Sequence, residues 1–570
     1  MKSIKPLTRN NTSNLIWGLV FTWFVLSCLI LPNINTLYSV FFQNGTFTLE
    51  PLTKLINSER AMKSLRNSLI LAPTLSLTVG FIGISLVLIT EYFDIKGARI
   101  LRLGYMTTLI YGGIILVSGY KFIYGHNGYL TNFIVQIFPD FDTRWFKGYW
   151  AVLFVMTFSC TSNHMIFLRN AMRAVDFQTV EAAQNMVASP GTILRRVVLP
   201  VLTPSLLAVT ILTFITGLGA TSAPLLVGGT EFQTITPMIL SFAQSIGSRD
   251  LAALLAIFLG GASMILLIVM TRLEKRGNYL SVSKVKTTIT KQKIRNPIIN
   301  IGVHIYAYLL FFIYVIPVIL IILFSFTNSA TIANRQLSFS AFTVQNYVSV
   351  FTRASAYRPF IISAVYSACA STAVAILILV ACRLITKHKN KLTGALEYSL
   401  LIPWLLPTTL IALGLSSTFN LPRWFMFHKV LTGTFVIMLL GYMIIKIPFT
   451  LRMTKAAFFA LDDSLEDAAK NLGASTLYTF FRVILPVILP TVLAVLALNF
   501  NSLLADYDMS VFLYHPLSQP LGVYIKQLTD SQTNAGNTAL TFVYAVVMMV
   551  ISGVVLYLVY GRGSQDKKKR

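Results

Sequence analysis

The sequence contains few charged residues. They make up 12% of its 570 positions, about half the share that is usual in soluble globular proteins. Only 20 are acidic, against 46 Lys and Arg, so the formal net charge is +26. Hydrophobic residues account for 55% of the chain and recur in runs of about 20, long enough to cross a bilayer as helices. This composition excludes a soluble globular protein and predicts an all-α polytopic membrane protein.

The motifs of common catalytic sites are also absent. The sequence has no G-x4-G-K-[ST] loop for nucleotide phosphates, no H-E-x-x-H metal helix and no G-x-S-x-G nucleophile turn. The four cysteines lie in or beside apolar runs, without metal-ligand spacing, and we expect them to be small buried hydrophobic residues: Cys28, Cys160, Cys369 and Cys382. We therefore expect no enzyme activity and no cofactor in this chain. Because the phosphate-binding loop is missing, any ATP hydrolysis that the protein depends on belongs to a partner.

The excess positive charge lies in short segments between the apolar runs. Such a bias orients membrane helices with their basic segments in the cytoplasm, so we predict no nucleic-acid binding. The most basic segment, Thr271–Asn300, has Glu274 as its single acid. Contact with anionic lipids is the alternative use of this charge. We expect a cytoplasmic linker at 271–300 between two domains, 1–270 and 301–570, with both termini cytoplasmic.

One stretch occurs twice, at a separation of 286 residues. Val180–Pro204 reads VEAAQNMVASPGTILRRVVLPVLTP, and Asp467–Pro490 reads DAAKNLGASTLYTFFRVILPVILP. A long fixed repeat determines the architecture of a chain, so we predict two fused copies of one module. A weaker echo, FTLEP and FTVQN at Phe47–Pro51 and Phe342–Asn346, has a separation of 295.

The apolar runs predict six membrane helices in each copy. In the first copy they lie near Leu15–Leu31, from Asn67 onward, Tyr105–Ile123, Trp150–Phe167, Val201–Leu218 and Leu251–Val269. In the second copy they lie near Val303–Phe326, Ile361–Ile385, Leu396–Leu413, Val430–Ile447, Val487–Leu503 and Ala539–Val559.

In both copies of the repeat, a short polar helix precedes a turn and a Leu-Pro pair that opens an apolar run. This resembles the EAA loop of ABC-importer permeases, EAA-x3-G-x9-I-x-LP, which docks onto the ATPase subunit. The resemblance places EAA loops at 176–200 and 462–486. It implies that the ATPase-coupling residues are Glu181, Ala182, Ala183, Asp467, Ala468, Ala469 and Gly473.

The two loops differ at the glycine of the pattern. The second loop has Gly473, whereas the first has Val187, with Ser189-Pro190-Gly191 just downstream. A glycine at such a position is typical of a left-handed turn that other residues avoid. The sequence therefore leaves open whether the first loop makes the same turn and docks equivalently.

The chain resembles fused, single-chain ferric-iron permeases, with thiamine and 2-aminoethylphosphonate permeases as neighbours in the same group. The resemblance implies two type I (MetI-like) transmembrane domains in the bacterial plasma membrane. It also implies two ABC ATPase subunits that bind ATP and Mg²⁺, an extracytoplasmic substrate-binding protein, and alternating access driven by the ATPases. Two alternative functions fit the sequence less well. An ion-coupled secondary transporter would need paired acids or histidines at mid-membrane, and we find none paired there in the sequence. A membrane scaffold without transport would not need two matching loops.

One acidic cluster is a candidate for the substrate pathway. Asp506, Tyr507 and Asp508 follow the predicted helix Val487–Leu503, and in the first copy Ala220-Thr221-Ser222 occupies the equivalent positions. Two carboxylates near the outer mouth could receive a cation or a cationic group. The alternative is a turn with solvated acids, and the metal ligands, if any, stay unknown.

Lys446 interrupts the predicted helix Val430–Ile447. A charge within a membrane span is a candidate functional residue. Because Arg452 follows closely, we expect Lys446 to extend its ammonium group to the cytoplasmic interface.

Overall fold

The computed structural model describes residues 9–43, 45–126, 128–172, 175, 177–276, 291–294, 296–334, 341–388, 390–459, 461, 463–530 and 535–561. The cytoplasmic position predicted for the two terminal segments and for residues 277–290 lies outside these ranges. It therefore stays a prediction.

Long apolar helices dominate the described residues and confirm the predicted all-α membrane fold. Nine of these helices could each cross a bilayer, and three bent pairs bring the number of possible spans to twelve. Spans 1 to 6 are Trp17–Phe41, Glu59–Tyr92, Ala98–Leu109 with Gly113–Ile137, Tyr149–Arg169, Pro190–Thr203 with Ser205–Leu218, and Arg249–Val269. Spans 7 to 12 are Pro297–Ser325, Ala354–Lys387, Lys391–Trp404 with Thr408–Phe419, Phe435–Phe459, Thr476–Leu504 and Gly536–Val559.

Three spans that the sequence predicted as single helices are bent. Span 3 turns by 113° and span 9 by 104°, while span 5 bends by 59° near residue 204. In span 3 the second helix starts at Gly113, whose φ of +57° favours glycine. In span 9 the extended backbone of Pro407 (φ −60°, ψ 142°) separates the two helices. Apolar runs reveal the length of a span but not such a bend.

Shorter elements join the spans. The helices are Glu50–Asn57, Phe177–Asn185, Ser222–Val227, Ile235–Ala243, Ser329–Asn334, Gln345–Thr352, Asp463–Asn471, Ser510–Leu513 and Leu521–Asp530. Phe42–Gln43 and Thr46–Phe47 form a two-stranded antiparallel sheet.

The weak sequence echo at a separation of 295 corresponds to a repeated element. Glu50–Asn57 and Gln345–Thr352 are helices at equivalent positions. In each, a threonine hydroxyl accepts the first backbone N–H at 3.1 Å, Thr48 from Glu50 and Thr343 from Gln345. The same local sequence thus produces the same helix start in both copies.

The first span of each copy packs against the other copy. In span 1 the Asn35 amide donates to the Thr418 hydroxyl at 3.0 Å, and Thr418 belongs to the second copy. Conversely, the Tyr105 hydroxyl of the first copy donates to the carbonyl of Ala307 in span 7 at 2.7 Å. This exchange joins the two copies into one helical body.

The cysteines agree only in part with the prediction that all are buried. Cys28 and Cys382 are buried and Cys160 is partly buried, but Cys369 is exposed on span 8. An apolar span presents one side to lipid, so a hydrophobic residue in it need not be covered by protein.

Candidate functional site

The two repeated loops fold alike. Each begins with a short helix, Phe177–Asn185 in the first copy and Asp463–Asn471 in the second, which we name the first and second EAA helices. Beyond the turn, a serine hydroxyl caps the next helix in each loop: Ser189 accepts the N–H of Thr192 at 3.2 Å, and Ser475 accepts that of Tyr478 at 3.3 Å.

A short π-helix follows in each loop, Leu194–Val198 and Phe480–Ile484. The Leu-Pro pair then opens the long helix, as predicted, since a proline is tolerated in the first helical turn. These helices are Leu199–Leu218 and Leu485–Leu504.

The turn after the EAA helix is the same in both loops, although only one has glycine there. Gly473 has φ +81° and donates its N–H to the Lys470 carbonyl at 2.9 Å. Val187 has φ +60° and donates to the Gln184 carbonyl at 2.8 Å. Such a left-handed residue closes many helices, and it is unfavourable for a β-branched side chain. The first loop thus retains the turn geometry despite the strain at valine.

The predicted ATPase-coupling residues divide between two faces. Those that are exposed are Glu181, Ala182, Asp467, Ala468 and Gly473. Ala183 is partly buried and Ala469 is only 9% exposed, so both face the permease. The helical period of 3.6 residues separates adjacent alanines in this way. Only the first alanine of each pair is therefore exposed on the surface of its EAA helix.

Sequence reasoning missed an exposed apolar tip on each loop. Met186 is 78% exposed and its equivalent Leu472 is 88% exposed, while Val187 is also 88% exposed. Met186 and Leu472 lie at the third variable position of the motif, for which the pattern specifies no residue type. Val187 lies at the position where the pattern has glycine. Exposed apolar groups beside a polar helix are typical of a protein-docking surface.

The first EAA helix is held by apolar contacts. Val180, 2% exposed, belongs to a buried cluster with Tyr92, Met172 and Ile193. Leu88 and Ala183 pack against the same cluster. Burial of these side chains attaches the helix to the C-terminal end of span 2.

The second EAA helix is held by an ion pair instead. At the position equivalent to Val180, Glu466 accepts two hydrogen bonds from the Arg383 guanidinium of span 8, at 2.7 and 2.8 Å. Lys470 adds a weaker contact to Glu466 at 3.4 Å. The Arg383 hydrogen bonds lower the pKa of Glu466 to about 2. A two-point pair of this kind is directional as well as attractive.

Ion pairs also connect the ends of other spans. Glu91 contacts Arg169 at 2.9 Å and Arg102 at 3.3 Å. In the second copy, Glu397 pairs with Lys455. Lys455 in span 10 is the equivalent of Arg169 in span 4. Each copy therefore has an ion pair that connects this span to a neighbouring one.

The acidic cluster after span 11 is folded into the protein. The Asp506 carboxylate accepts the backbone N–H of Met509 at 3.2 Å and of Ser510 at 3.1 Å. Tyr507 is 5% exposed. One carboxylate oxygen of Asp508 is buried without a hydrogen-bond partner, and Asp508 lies beside Thr221 of the first copy. The segments that correspond in the two copies thus meet at the boundary between them.

Lys446 belongs to this cluster rather than to the cytoplasmic interface. It is partly buried in span 10 and interacts electrostatically with the Asp506 carboxylate. The Tyr442 hydroxyl, buried without a hydrogen-bond partner of good geometry, lies next to Asp506. The prediction that Lys446 snorkels was wrong because Asp506, distant in sequence, supplies a counter-charge inside the protein.

The cluster is not a conventional metal site. Across the described ranges, no group of three or more His, Cys, Asp or Glu side chains could hold a metal ion. Asp506 and Asp508 with Lys446 carry a formal charge of −1. Such a site can attract a cationic group, but it lacks the ligands to bind a bare trivalent ion tightly.

The chain resembles known transport proteins along most of its length. The family described as "Binding-protein-dependent transport system inner membrane component" matches residues 74–277 and 297–564. A probable ABC transporter permease of Sinorhizobium fredii, y4fN, is 37% identical over 95% of each chain. The ferric transport system permease FbpB of Actinobacillus pleuropneumoniae is 21% identical over 92% of this chain and 75% of its own. A putative 2-aminoethylphosphonate permease of Salmonella typhimurium, PhnV, is 25% identical over 42% of this chain and 90% of its own.

The matched residues contain both EAA loops, and the described spans fit a membrane component. The chain therefore belongs to the family of binding-protein-dependent transport system inner membrane components, and it is the permease subunit of an ABC importer.

Proposed function

We propose that this permease imports ferric iron, delivered by an extracytoplasmic binding protein and driven by two separate ATPase subunits. The observation that carries the ATPase part is the pair of EAA loops, whose turns, caps and exposed apolar tips correspond. Two similar surfaces on one chain suit two copies of one partner.

Each ATPase subunit would receive one EAA helix in a surface groove. The exposed Ala182 and Ala468 permit close approach, and the apolar tips at Met186 and Leu472 provide area to bury. ATP and Mg²⁺ bind to the partners, whose closure moves the loops. The spans then alternate between inward-open and outward-open arrangements. In this arrangement the termini and the linker 271–300 lie in the bacterial cytoplasm.

The choice of iron rests on similarity and on ligand chemistry. The similarity to the ferric permease extends over 92% of this chain, against 42% for the phosphonate permease. Asp506, Tyr507 and Asp508 offer carboxylate and phenolate oxygens, which suit a hard cation. Because the cluster has only two carboxylates and a nearby lysine, we propose that it passes a partly coordinated ferric complex and does not hold a bare ion.

The same cluster favours 2-aminoethylphosphonate as the second candidate. A substrate with an ammonium group and an anionic group could place them near Asp508 and Lys446, respectively. Thiamine, whose cationic ring would meet only the carboxylates, is a further alternative within the importer class.

Uptake into proteoliposomes that contain the permease with its ATPase subunits tests these alternatives. Radioactive ferric citrate, 2-aminoethylphosphonate and thiamine are supplied separately, each with the binding protein. We expect ATP-dependent uptake of iron alone. Asp508→Asn should reduce the uptake rate about tenfold or more, since it removes one of the two carboxylates of the cluster. Asp142→Asn, on an exposed loop, is the control. Uptake of the phosphonate without iron would replace the first candidate by the second.

A further inference from the structure

The end of the central linker lies against the first EAA helix. Gln292 forms a parallel bridge with Phe93, just after span 2. Its N–H donates to the Tyr92 carbonyl at 2.8 Å, and its carbonyl accepts from the N–H of Asp94 at 2.9 Å. Its side-chain carbonyl accepts a hydrogen bond from the Gln184 amide of the first EAA helix. One linker residue thus contacts both the end of span 2 and the EAA helix.

The burial of the linker end agrees with this extended arrangement. Gln292 and Ile294 are partly buried, whereas Lys291 and Lys293 are exposed. Alternate residues of an extended segment lie on opposite sides. The side that carries Gln292 therefore faces the protein, and its backbone bonds fix the register of the contact with Gln184.

Span 7, in the second copy, binds the loop at residues 92–97, which begins at the end of span 2 and contains the residues that the Gln292 backbone contacts. The N–H of Lys96 donates to His304 at 3.3 Å, and the Tyr308 hydroxyl donates to the Lys96 carbonyl at 3.1 Å. The loop at residues 92–97 thus contacts span 7 on one side and, on the other, the end of the linker that precedes span 7. The first EAA helix touches this junction through Gln184.

The second EAA helix has a different arrangement at the equivalent position. There Gln184 is replaced by Lys470, which contacts Glu466 at 3.4 Å and Asp467 at 3.4 Å within its own helix. Glu466 in turn binds Arg383 of the same copy. The polar contacts of the second EAA helix therefore stay within its own copy, whereas the first EAA helix, besides its apolar contacts in the first copy, has a polar contact with the segment that connects the two copies.

We propose that Gln292 is a positioning residue for ATPase coupling, which orients the first EAA helix through Gln184 and links it to the second copy. The two docking surfaces are then unequal: the first depends on the linker, and the second does not. This inference rests on the proposed role of the EAA loops in binding the ATPase subunits.

A double-mutant cycle on the purified full-length permease in nanodiscs tests the proposal. The measurement is the affinity of the isolated ATPase subunit for the permease, with the second site blocked by Ala468→Trp. Gln292→Ala and Gln184→Ala should each weaken binding about three- to tenfold, as expected for one lost hydrogen bond. The double alanine variant should be no weaker than either single one. Gln184→Glu with Gln292→Lys should restore binding to within about twofold by forming a charged pair.

Tyr308→Phe is the matched control, because it removes a hydrogen bond from the same loop without touching Gln184. The affinity of this variant for the ATPase subunit should stay within about twofold of that of the permease with Tyr308. Unchanged affinity in the single alanine variants, or multiplicative losses in the double variant, would overturn the positioning role. If the starting protein binds no ATPase subunit, the proposed function fails instead, so the two failures are distinguishable.

Discussion

At the scale of single residues, Val187 shows how a sequence can depart from a motif while the backbone keeps its shape. Its φ of +60° is close to the +81° of Gly473, although a residue with a Cβ is less stable there by about 1–2 kcal/mol. The Val187 side chain is 88% exposed, so its burial does not offset this cost. A contact made in the complex would explain why valine is tolerated.

Exchanging the two turn residues tests the strain. Val187→Gly should raise the stability of the permease by about 1 kcal/mol, and Gly473→Val should lower it by a similar amount. Thermal unfolding in detergent measures both. If Val187 contacts the ATPase, the glycine variant will be more stable but will bind the partner less tightly. A loss of stability in Val187→Gly would contradict the argument from backbone strain.

At the scale of elements, the two EAA helices have the same shape but different anchors. The first uses the buried Val180, and the second uses Glu466 with Arg383. The internal repeat shows which apolar residues could replace the ion pair. Val180 is the equivalent of Glu466, and Leu88 in span 2 is the equivalent of Arg383 at the separation of 295. Apolar residues often replace a buried ion pair without loss of stability, whereas a lone buried charge is costly.

Copying the first anchor into the second copy tests this equivalence. Arg383→Leu alone should destabilise the permease by about 2–4 kcal/mol, because it leaves Glu466 partly buried without its main partner. The further change Glu466→Val should recover most of that loss. Melting temperatures of the two variants and the parent provide the comparison. Equal destabilisation of the single and double variants would show that the ion pair is specifically required.

The anchor of the second EAA helix should also depend on pH. The pKa of Glu466 is lowered to about 2 in the folded protein, from about 4.3 in an unfolded chain. A depressed pKa contributes stability above the unfolded value, and this contribution disappears as pH falls from about 4.3 to about 2. The difference in melting temperature between the parent and Glu466→Gln should therefore be constant above pH 5 and shrink below about 4.3. A constant difference down to pH 3 would contradict the assigned cause.

At the scale of the whole molecule, the large features could be predicted and the contacts between distant segments could not. Runs of apolar residues define membrane helices because lipid leaves the backbone no other partner, and the repeat reveals two copies. The EAA helices follow from local sequence, but the left-handed turn at Val187 does not, since a β-branched residue disfavours it. By contrast, the contact of Gln292 with Gln184 and that of Glu466 with Arg383 join residues far apart in the chain. The cluster of Lys446 with Asp506 was missed for the same reason.

The orientation of the molecule stays a prediction that labelling can test. Ser283→Cys, in the basic linker, should resist a membrane-impermeant thiol reagent in intact cells and react after permeabilisation. Cys369, which is exposed, should be replaced in the same background. Leu517→Cys, 88% exposed beyond span 11, is the control that should react in intact cells. Labelling of Ser283→Cys from outside would invert the proposed topology.

The central claim is that the two EAA loops are the two docking sites for ATPase subunits. The most direct measurement is the number of ATPase subunits bound per permease, by native mass spectrometry of the detergent-solubilised complex. We predict two for the parent, at most one for Ala182→Trp or Ala468→Trp, and none for the double variant, because both alanines are exposed on the EAA helices. Leu517→Trp, far from both loops, should still bind two. Two ATPase subunits on the correctly folded double variant would contradict the account.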